Sequence, residues 1–285
     1  MFSRVIILLF SVITAFFGYL TYSVDRNYSI WIVIFLVLTT VSYIFSNQIQ
    51  WWRNSNKPRE IDDKMRQILS HNYDFYANLS LENKKIFRER MHAYMIGNNF
   101  MAKGGMKDVL TDIKGIIAAA ATRLTFGNKE QLISKYENII VYPKGFPSPQ
   151  FPNSFHSSEI FEEDGVIMFS IEHLMKNFQK PDSYFDIALY EYAKIFMKQN
   201  SHISFPEYSD EFWETNEKIT RFTKVYIQKH INLDLADIDL RAVMIVAFFT
   251  HSDKFKLELP SIYERYMNYF NLDLVEKSDP IIRNI

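Results

Sequence analysis

Two long uncharged segments begin the chain, one over residues 5–24 and one over residues 27–52. A helix needs about 20 mostly apolar residues to cross the hydrocarbon core of a bilayer, and each segment is that long. The polar residues Asp25, Arg26 and Asn27 separate them. The pattern therefore predicts a transmembrane hairpin over residues 1–53, with helices within 4–24 and 28–52 and membrane contact through residues 5–24 and 28–52.

Two other interpretations of these segments are less well supported. A cleaved signal peptide would need a site with small residues after the first segment, and a second apolar segment follows instead. Two core helices of a soluble domain would each need a polar face, which neither segment has. A protein whose hairpin is itself the functional part remains an alternative.

The charges that flank the two segments predict the orientation in the membrane. Arg4 precedes the first segment, whereas the loop between them carries only Arg26, with Asp25 beside it. Five cations follow the second segment: Arg53, Lys57, Arg59, Lys64 and Arg66. Because Lys and Arg collect on the cytoplasmic side, we expect a multi-pass protein of the inner (cytoplasmic) membrane with both termini and the soluble domain in the cytoplasm.

The rest of the chain predicts an α+β domain that is mostly helical with a small sheet. Residues 54–78 are interpreted as a linker and a juxtamembrane helix, residues 79–275 as the domain, and residues 276–285 as a tail. Ser80 and Thr111 are expected to cap helices, and β-rich runs at 139–142 and 166–169 predict two strands separated by a long loop over 144–165. Further helices are predicted over 183–198, 237–250 and 260–270.

Composition excludes several classes of function. The formal net charge is -1, which argues against a dedicated nucleic-acid binder, so no nucleic-acid partner is expected. The chain has no cysteine, which excludes disulfide frameworks, thiolate metal ligands and thiol catalysis.

Five segments follow one another in a characteristic order: Leu110-Thr111-Asp112 before the Ala-rich run Ile116–Ala121, Val141-Tyr142-Pro143, Gly165–Ser170, Asp186–Lys194, and the segment from Asp239 to Phe249. In this order they resemble the MtfA (Mlc titration factor A) family of zinc-dependent peptidases. The resemblance implies a zincin-like fold, a bound zinc ion, and an interaction with a transcriptional repressor. It also implies a helix that carries His-Glu-x-x-His, and a third acidic ligand farther along the chain.

The implied site residues depart from the family pattern. The resemblance puts Tyr190 at the first histidine, Lys194 at the second, and Asp239 at the third ligand, while Glu191 keeps the position of the general base. An ammonium at Lys194 repels a divalent cation, so we expect no metal and no other cofactor. Without the family, Glu191 and Lys194 are a surface ion pair, and a lysine acting as a general base is a further alternative.

The function expected from this comparison is that of a membrane-anchored pseudopeptidase that binds a peptide or protein in its cleft. An extended peptide would add to the sheet near Val166–Phe169. The alternative is an active zinc-dependent (amino)peptidase with non-standard ligands. The pseudopeptidase hypothesis makes one geometric prediction: Lys194 lies within salt-bridge range of Asp239, Glu191 or both, and Tyr190 donates its hydroxyl to Asp239.

Overall fold

A computed structural model describes residues 2–46, 48–49, 59–129, 136–209 and 211–276. The predicted linker at 54–58 and nearly all of the predicted tail at 276–285 lie outside these residues. The helices of the described part are α1 Phe2–Ser23, α2 Ser29–Ile44, α3 Asp63–Asn72, α4 Asp74–Ala77, α5 Leu81–Gly97, α6 Thr111–Leu124, α7 Ile171–Gln179, α8 Ile187–Gln199, α9 Phe212–Thr220, α10 Lys224–Ile231, α11 Leu240–Thr250, α12 Ser252–Glu258 and α13 Pro260–Phe270. The strands are β1 Asn99–Ala102, β2 Asn138–Tyr142, β3 Ser158–Phe161 and β4 Val166–Ser170.

The first two helices form an antiparallel hairpin. The Asp25 carboxylate accepts a hydrogen bond from the backbone N–H of Asn27 at 2.8 Å, which fixes the turn at the predicted place. The ring of Phe17 on α1 stacks on Trp31 and Phe35 of α2, with centroid distances of 5.8 and 5.7 Å. Both helices are long and apolar enough to cross a membrane. The second ends at Ile44, before the predicted Trp52, and residues 50–52 lie outside the described part.

The domain core begins before the predicted boundary at Leu79. Ile61, Met65, Leu69 and Tyr76 are buried in the same core cluster as the main helices. Asp62 caps α3 by accepting the N–H of Met65 at 2.8 Å, which turns Met65 and Leu69 toward the core. The described part of the segment between hairpin and domain therefore packs as part of the domain.

A four-stranded sheet with the order β1-β2-β4-β3 lies beside the helices. The first three strands in this order run parallel, and β3 pairs antiparallel with β4. The two predicted strands are confirmed as β2 and β4, each slightly longer than expected. The four-residue strands β1 and β3 were not predicted, and β3 lies inside the segment that was interpreted as a loop.

The position of β4 corrects one prediction. Val166–Phe169 pairs with β2 on one side and β3 on the other, so this segment is central and offers no free edge for an added strand. The edge on that side is β3. The edge was predicted wrongly because β3 was not recognised as a strand. Its residues Ser158 and Glu159 are polar, which is unusual in a strand, yet both are buried in the structure.

Successive side chains of a strand point to opposite faces of the sheet, and apolar residues on both faces are covered. Ile139, Val141, Ile167 and Phe169 join the main core with α6 and α8. The opposite face carries Val166 and Met168 and is covered by the Pro- and Phe-rich segment over 143–157. Phe146 of that segment stacks on Tyr142 at 4.4 Å between centroids.

Three predicted helices of the second half are found, with two corrected starts. The helix predicted over 183–198 begins at Ile187, because the Asp186 carboxylate accepts the N–H of Leu189 at 2.9 Å and caps it there. The cap is thus Asp186, and Asp182 and Ser183 at the predicted start lie outside the helix. The helix predicted from 237 begins at Leu240, with Asp239 as its N-cap. The helix over 260–270 has the predicted bounds.

Candidate functional site

Helix α8 carries three of the four predicted site residues. Tyr190 and Glu191 are 0% and 1% exposed, and the side chain of Lys194 is 21% exposed. The helix packs against α6, α11 and the strand β3, so nearly its whole circumference is buried. The apolar residues in and just before this helix are also buried: Phe185, Ala188, Leu189, Tyr192, Ile195 and Phe196.

The Glu191 carboxylate has a partner for each oxygen. Its Oε1 accepts the hydroxyl hydrogen of Ser158 at 2.8 Å, and its Oε2 lies 2.8 Å from Lys194 Nζ. The predicted salt bridge of Lys194 is thus confirmed with Glu191. Ser158 contributes from β3, an element that the sequence did not reveal.

Lys194 remains an ammonium ion in this environment. Burial alone would lower the pKa of Lys194, but the charge of Glu191 and smaller contributions from Tyr190 and Asp239 raise it above its usual value. The Nζ atom also lies 5.2 Å from the centroid of the Tyr190 ring, a favourable distance for a cation over an aromatic face. The site therefore holds a fixed positive charge.

The Tyr190 hydroxyl contacts Asp239 in a different way from the one predicted. It accepts the backbone N–H of Asp239 at 3.0 Å, whereas the prediction had it donate to the carboxylate. Burial raises the pKa of Tyr190 to about 12, so the phenol stays protonated at neutral pH. The contact joins α8 to the start of α11 and brings the four predicted residues into one region.

The Asp239 carboxylate is engaged as a helix cap. Its Oδ1 accepts the backbone N–H of Arg241 at 2.9 Å, and its Oδ2 lies 2.9 Å from Arg241 Nη2. This carboxylate borders an open depression of about 520 Å³. The lining residues are Glu207, Tyr208, Ala236, Asp237, Ile238, Asp239, Leu240 and Arg241.

A second buried ionisable pair lies on the other face of β3. His156 Nε2 is 2.6 Å from Glu159 Oε2, and the two residues are 0% and 3% exposed. His156 Nδ1 is 3.0 Å from the carbonyl oxygen of Ser154. Sequence reasoning missed this pair, although the spacing of three residues between histidine and glutamate is visible in the sequence.

The chemistry of the predicted ligand positions does not suit a divalent metal ion. Tyr190 is a protonated phenol, Lys194 is an ammonium, and the Asp239 carboxylate is bonded to Arg241. Elsewhere in the described residues, no group of three or more His, Asp or Glu side chains is arranged to hold a metal ion.

Comparison with protein families identifies a match. The family described as glucose-regulated metallo-peptidase M90 matches residues 49–208, more than half of the chain. The match contains the strands β1 to β4 and helix α8 with Tyr190, Glu191 and Lys194. It ends before Asp239. No curated protein matches the chain.

Proposed function

The chain belongs to the glucose-regulated metallo-peptidase family M90, and from that premise we propose that it is a membrane-anchored pseudopeptidase that acts by binding a peptide or protein. The observation that carries the proposal is the salt bridge between Lys194 and Glu191. A general base must be able to accept a proton from water, and this carboxylate is neutralised by an ammonium and bonded by Ser158.

We propose Tyr190, Lys194 and Asp239 as the positions that hold zinc in active relatives. In this chain those positions supply a phenol, an ammonium and a carboxylate that caps helix α11. Zinc prefers imidazole, thiolate and free carboxylate ligands, so these groups do not fit it. Glu191 is then a retained general-base position that serves to pair with Lys194.

The partner site of this proposal is the open depression beside Asp239. It carries Glu207, Asp237 and Asp239 against the single cation Arg241, so it favours a partner segment with positive charge. The edge of β3 is a poorer site for strand addition, because Ser158, Glu159 and Ile160 are at most 5% exposed. A bound peptide would thus contact the start of α11.

Metal analysis of the purified full-length chain in detergent tests the loss of zinc. We expect far less than one zinc ion per chain. We also expect the combined substitution Tyr190→His and Lys194→His to confer weak zinc affinity, because two imidazoles would join the Asp239 carboxylate, which would have to exchange its contacts with Arg241 for the metal. One tightly bound zinc ion per unmodified chain would overturn the proposal and favour the second candidate, an active zinc-dependent (amino)peptidase with non-standard ligands, which family membership supports.

We further propose that the hairpin spans the inner membrane, with both termini and the domain in the cytoplasm. The support is the pair of long apolar helices and the collection of cations after the second one. Because the chain has no cysteine, Asn27→Cys and Leu257→Cys each give a single labelling site. A membrane-impermeant maleimide should label residue 27 from outside the inner membrane and residue 257 only after the membrane is opened. The reverse pattern would contradict this topology.

A further inference from the structure

A second cavity, apart from the depression beside Asp239, lies away from the Glu191 site. Its volume is about 430 Å³, within the range of small-molecule sites. It is enclosed by the segment from Asp74 to Leu79, by the ends of α6 and α11, and by residues 272–274 after α13. None of the residues discussed above as site residues lines it, so it is independent of the proposed function.

A single guanidinium dominates the chemistry of this cavity. Arg123 on α6 donates from Nη2 to the carbonyl oxygen of Phe249, while its Nε–H is buried with no partner among the described residues. Its guanidinium lies 5.4–5.7 Å from the ring centroids of Tyr73, Phe75 and Phe249. Aromatic faces attract a cation without neutralising it. No described carboxylate forms a salt bridge with Arg123.

The acidic residues that line the cavity form no salt bridge with Arg123, and the buried Asp186 interacts with it only at longer range. The Asp273 carboxylate is occupied by the hydroxyl of Tyr263 at 2.8 Å and by two backbone N–H groups, each at 3.1 Å. Asp74 and Asp253 are exposed to solvent, and the exposed side of the cavity also carries Lys254. The inner part therefore combines a cation with apolar walls.

Those walls define what else a ligand must offer. Phe75 and Phe249 face the cavity together with Leu79, Leu272 and Leu274. An inorganic anion would leave these side chains without contacts, whereas an apolar body would cover them. A planar guanidinium pairs best with a carboxylate, which matches its two parallel donors.

We propose that this cavity binds a small organic carboxylate, with its carboxylate on Arg123 and its apolar body between Phe75, Phe249 and Leu274. The site joins three parts of the chain that are distant in sequence. A ligand there bridges the ends of α6 and α11 to the segment after α13.

Calorimetric titration of the full-length chain in detergent with benzoate tests the proposal, with benzamide as the neutral analogue of the same shape. We expect saturable benzoate binding and benzamide weaker by about tenfold or more, because the amide oxygen carries no negative charge to pair with the guanidinium. Inorganic phosphate should not displace benzoate. Equal affinity for the two aromatic probes, displacement by phosphate, or no saturable binding would each overturn the proposal.

Two substitutions locate the binding. Leu274→Trp fills the cavity without removing a charge and should abolish benzoate binding. Arg123→Gln should remove the preference for benzoate over benzamide, and Lys254→Gln on the exposed side should leave it within about twofold. If Arg123→Gln does not fold, Leu274→Trp still decides, and benzoate binding that survives Leu274→Trp would place the ligand elsewhere and overturn the proposal.

Discussion

The strand β3 separates two buried carboxylates that are compensated in different ways. Glu191, on the α8 side, has one oxygen bonded to the Ser158 hydroxyl and the other to the Lys194 ammonium. Glu159, on the side covered by residues 143–157, has Oε2 bonded to His156, while its Oε1 is buried with no partner among the described residues. The neighbouring strand residues Ser158 and Glu159 thus belong to two different hydrogen-bond networks. The network of Glu191 is complete, and that of Glu159 lacks one partner.

The difference shows what a buried charge requires. Removing a carboxylate from water is costly, and an adjacent cation offsets the cost only when the remaining lone pairs are also bonded. Both oxygens of Glu191 are bonded, whereas one oxygen of Glu159 is not. We therefore expect the Glu191 network to contribute more to stability than the Glu159 network.

Removal of the lysine should have the largest effect on this comparison. Lys194→Met leaves Glu191 buried beside Ser158 alone, and we expect the free energy of unfolding to fall by about 3–5 kcal/mol. Lys198→Met, one turn further on α8, breaks a solvent-exposed pair with Glu162 and should cost less than about 1 kcal/mol. Chemical denaturation of both variants in detergent measures the difference, and equal losses would contradict the comparison.

Removal of the imidazole should have a smaller effect that a second substitution can reverse. His156→Phe fits between the rings of Phe146 and Phe151 but leaves Glu159 unpaired, at an expected cost of about 3 kcal/mol. The combination of His156→Phe with Glu159→Leu should recover most of this loss, because an apolar pair replaces the ionic one. Denaturation midpoints that are no higher for the double variant than for the single one would refute this account.

A second buried histidine, His230, sharpens the comparison at low pH. Burial lowers the pKa of His230 to about 4, below the ordinary value near 6.5. The unfolded chain therefore binds the proton first, so stability that is present above pH 6.5 is lost as the pH falls toward 4. The expected loss is about 3 kcal/mol, and it should disappear in His230→Asn but persist in the exposed control His202→Asn. Urea denaturation of the unmodified chain and both variants between pH 7 and 4 measures this loss of unfolding free energy.

The smallest expected effect separates two adjacent serines of similar burial. Ser158→Ala removes the hydroxyl donor to Glu191 and should cost about 2 kcal/mol, as expected for a hydrogen bond to a charged group. The Ser157 hydroxyl is buried with no partner among the described residues, so Ser157→Ala should be neutral or slightly stabilising. Thermal denaturation distinguishes them, and a larger loss for Ser157→Ala would disprove the assignment.

The fold was predictable where the signal is local. The hairpin follows from uncharged segments about as long as a bilayer is thick, and α13 follows from Pro260 and its apolar spacing. The start of α8 was missed because Asp182, Ser183 and Asp186 are all acceptable caps by residue type. Packing of Phe185, which is 2% exposed, decides between them, and packing depends on the rest of the fold.

In the candidate site, too, contacts within one helix were predictable and contacts between distant residues were not. Lys194 and Glu191 lie three residues apart on a helix, so their contact follows from helical geometry. The bond from Ser158 spans 33 residues and requires a strand that is recognisable only through its tertiary partners. The same holds for the contact of Tyr190 with the backbone of Asp239, 49 residues away.

The cation beside Glu191 is part of the polypeptide itself. A bound metal ion can dissociate into the surrounding solution. Its binding free energy stabilises the fold only while the metal is available. Lys194 is covalently part of the chain from its synthesis onward and cannot dissociate. The charge balance around Glu191 is therefore complete as soon as α8 docks, and neither metal starvation nor a chelator can take this cation away.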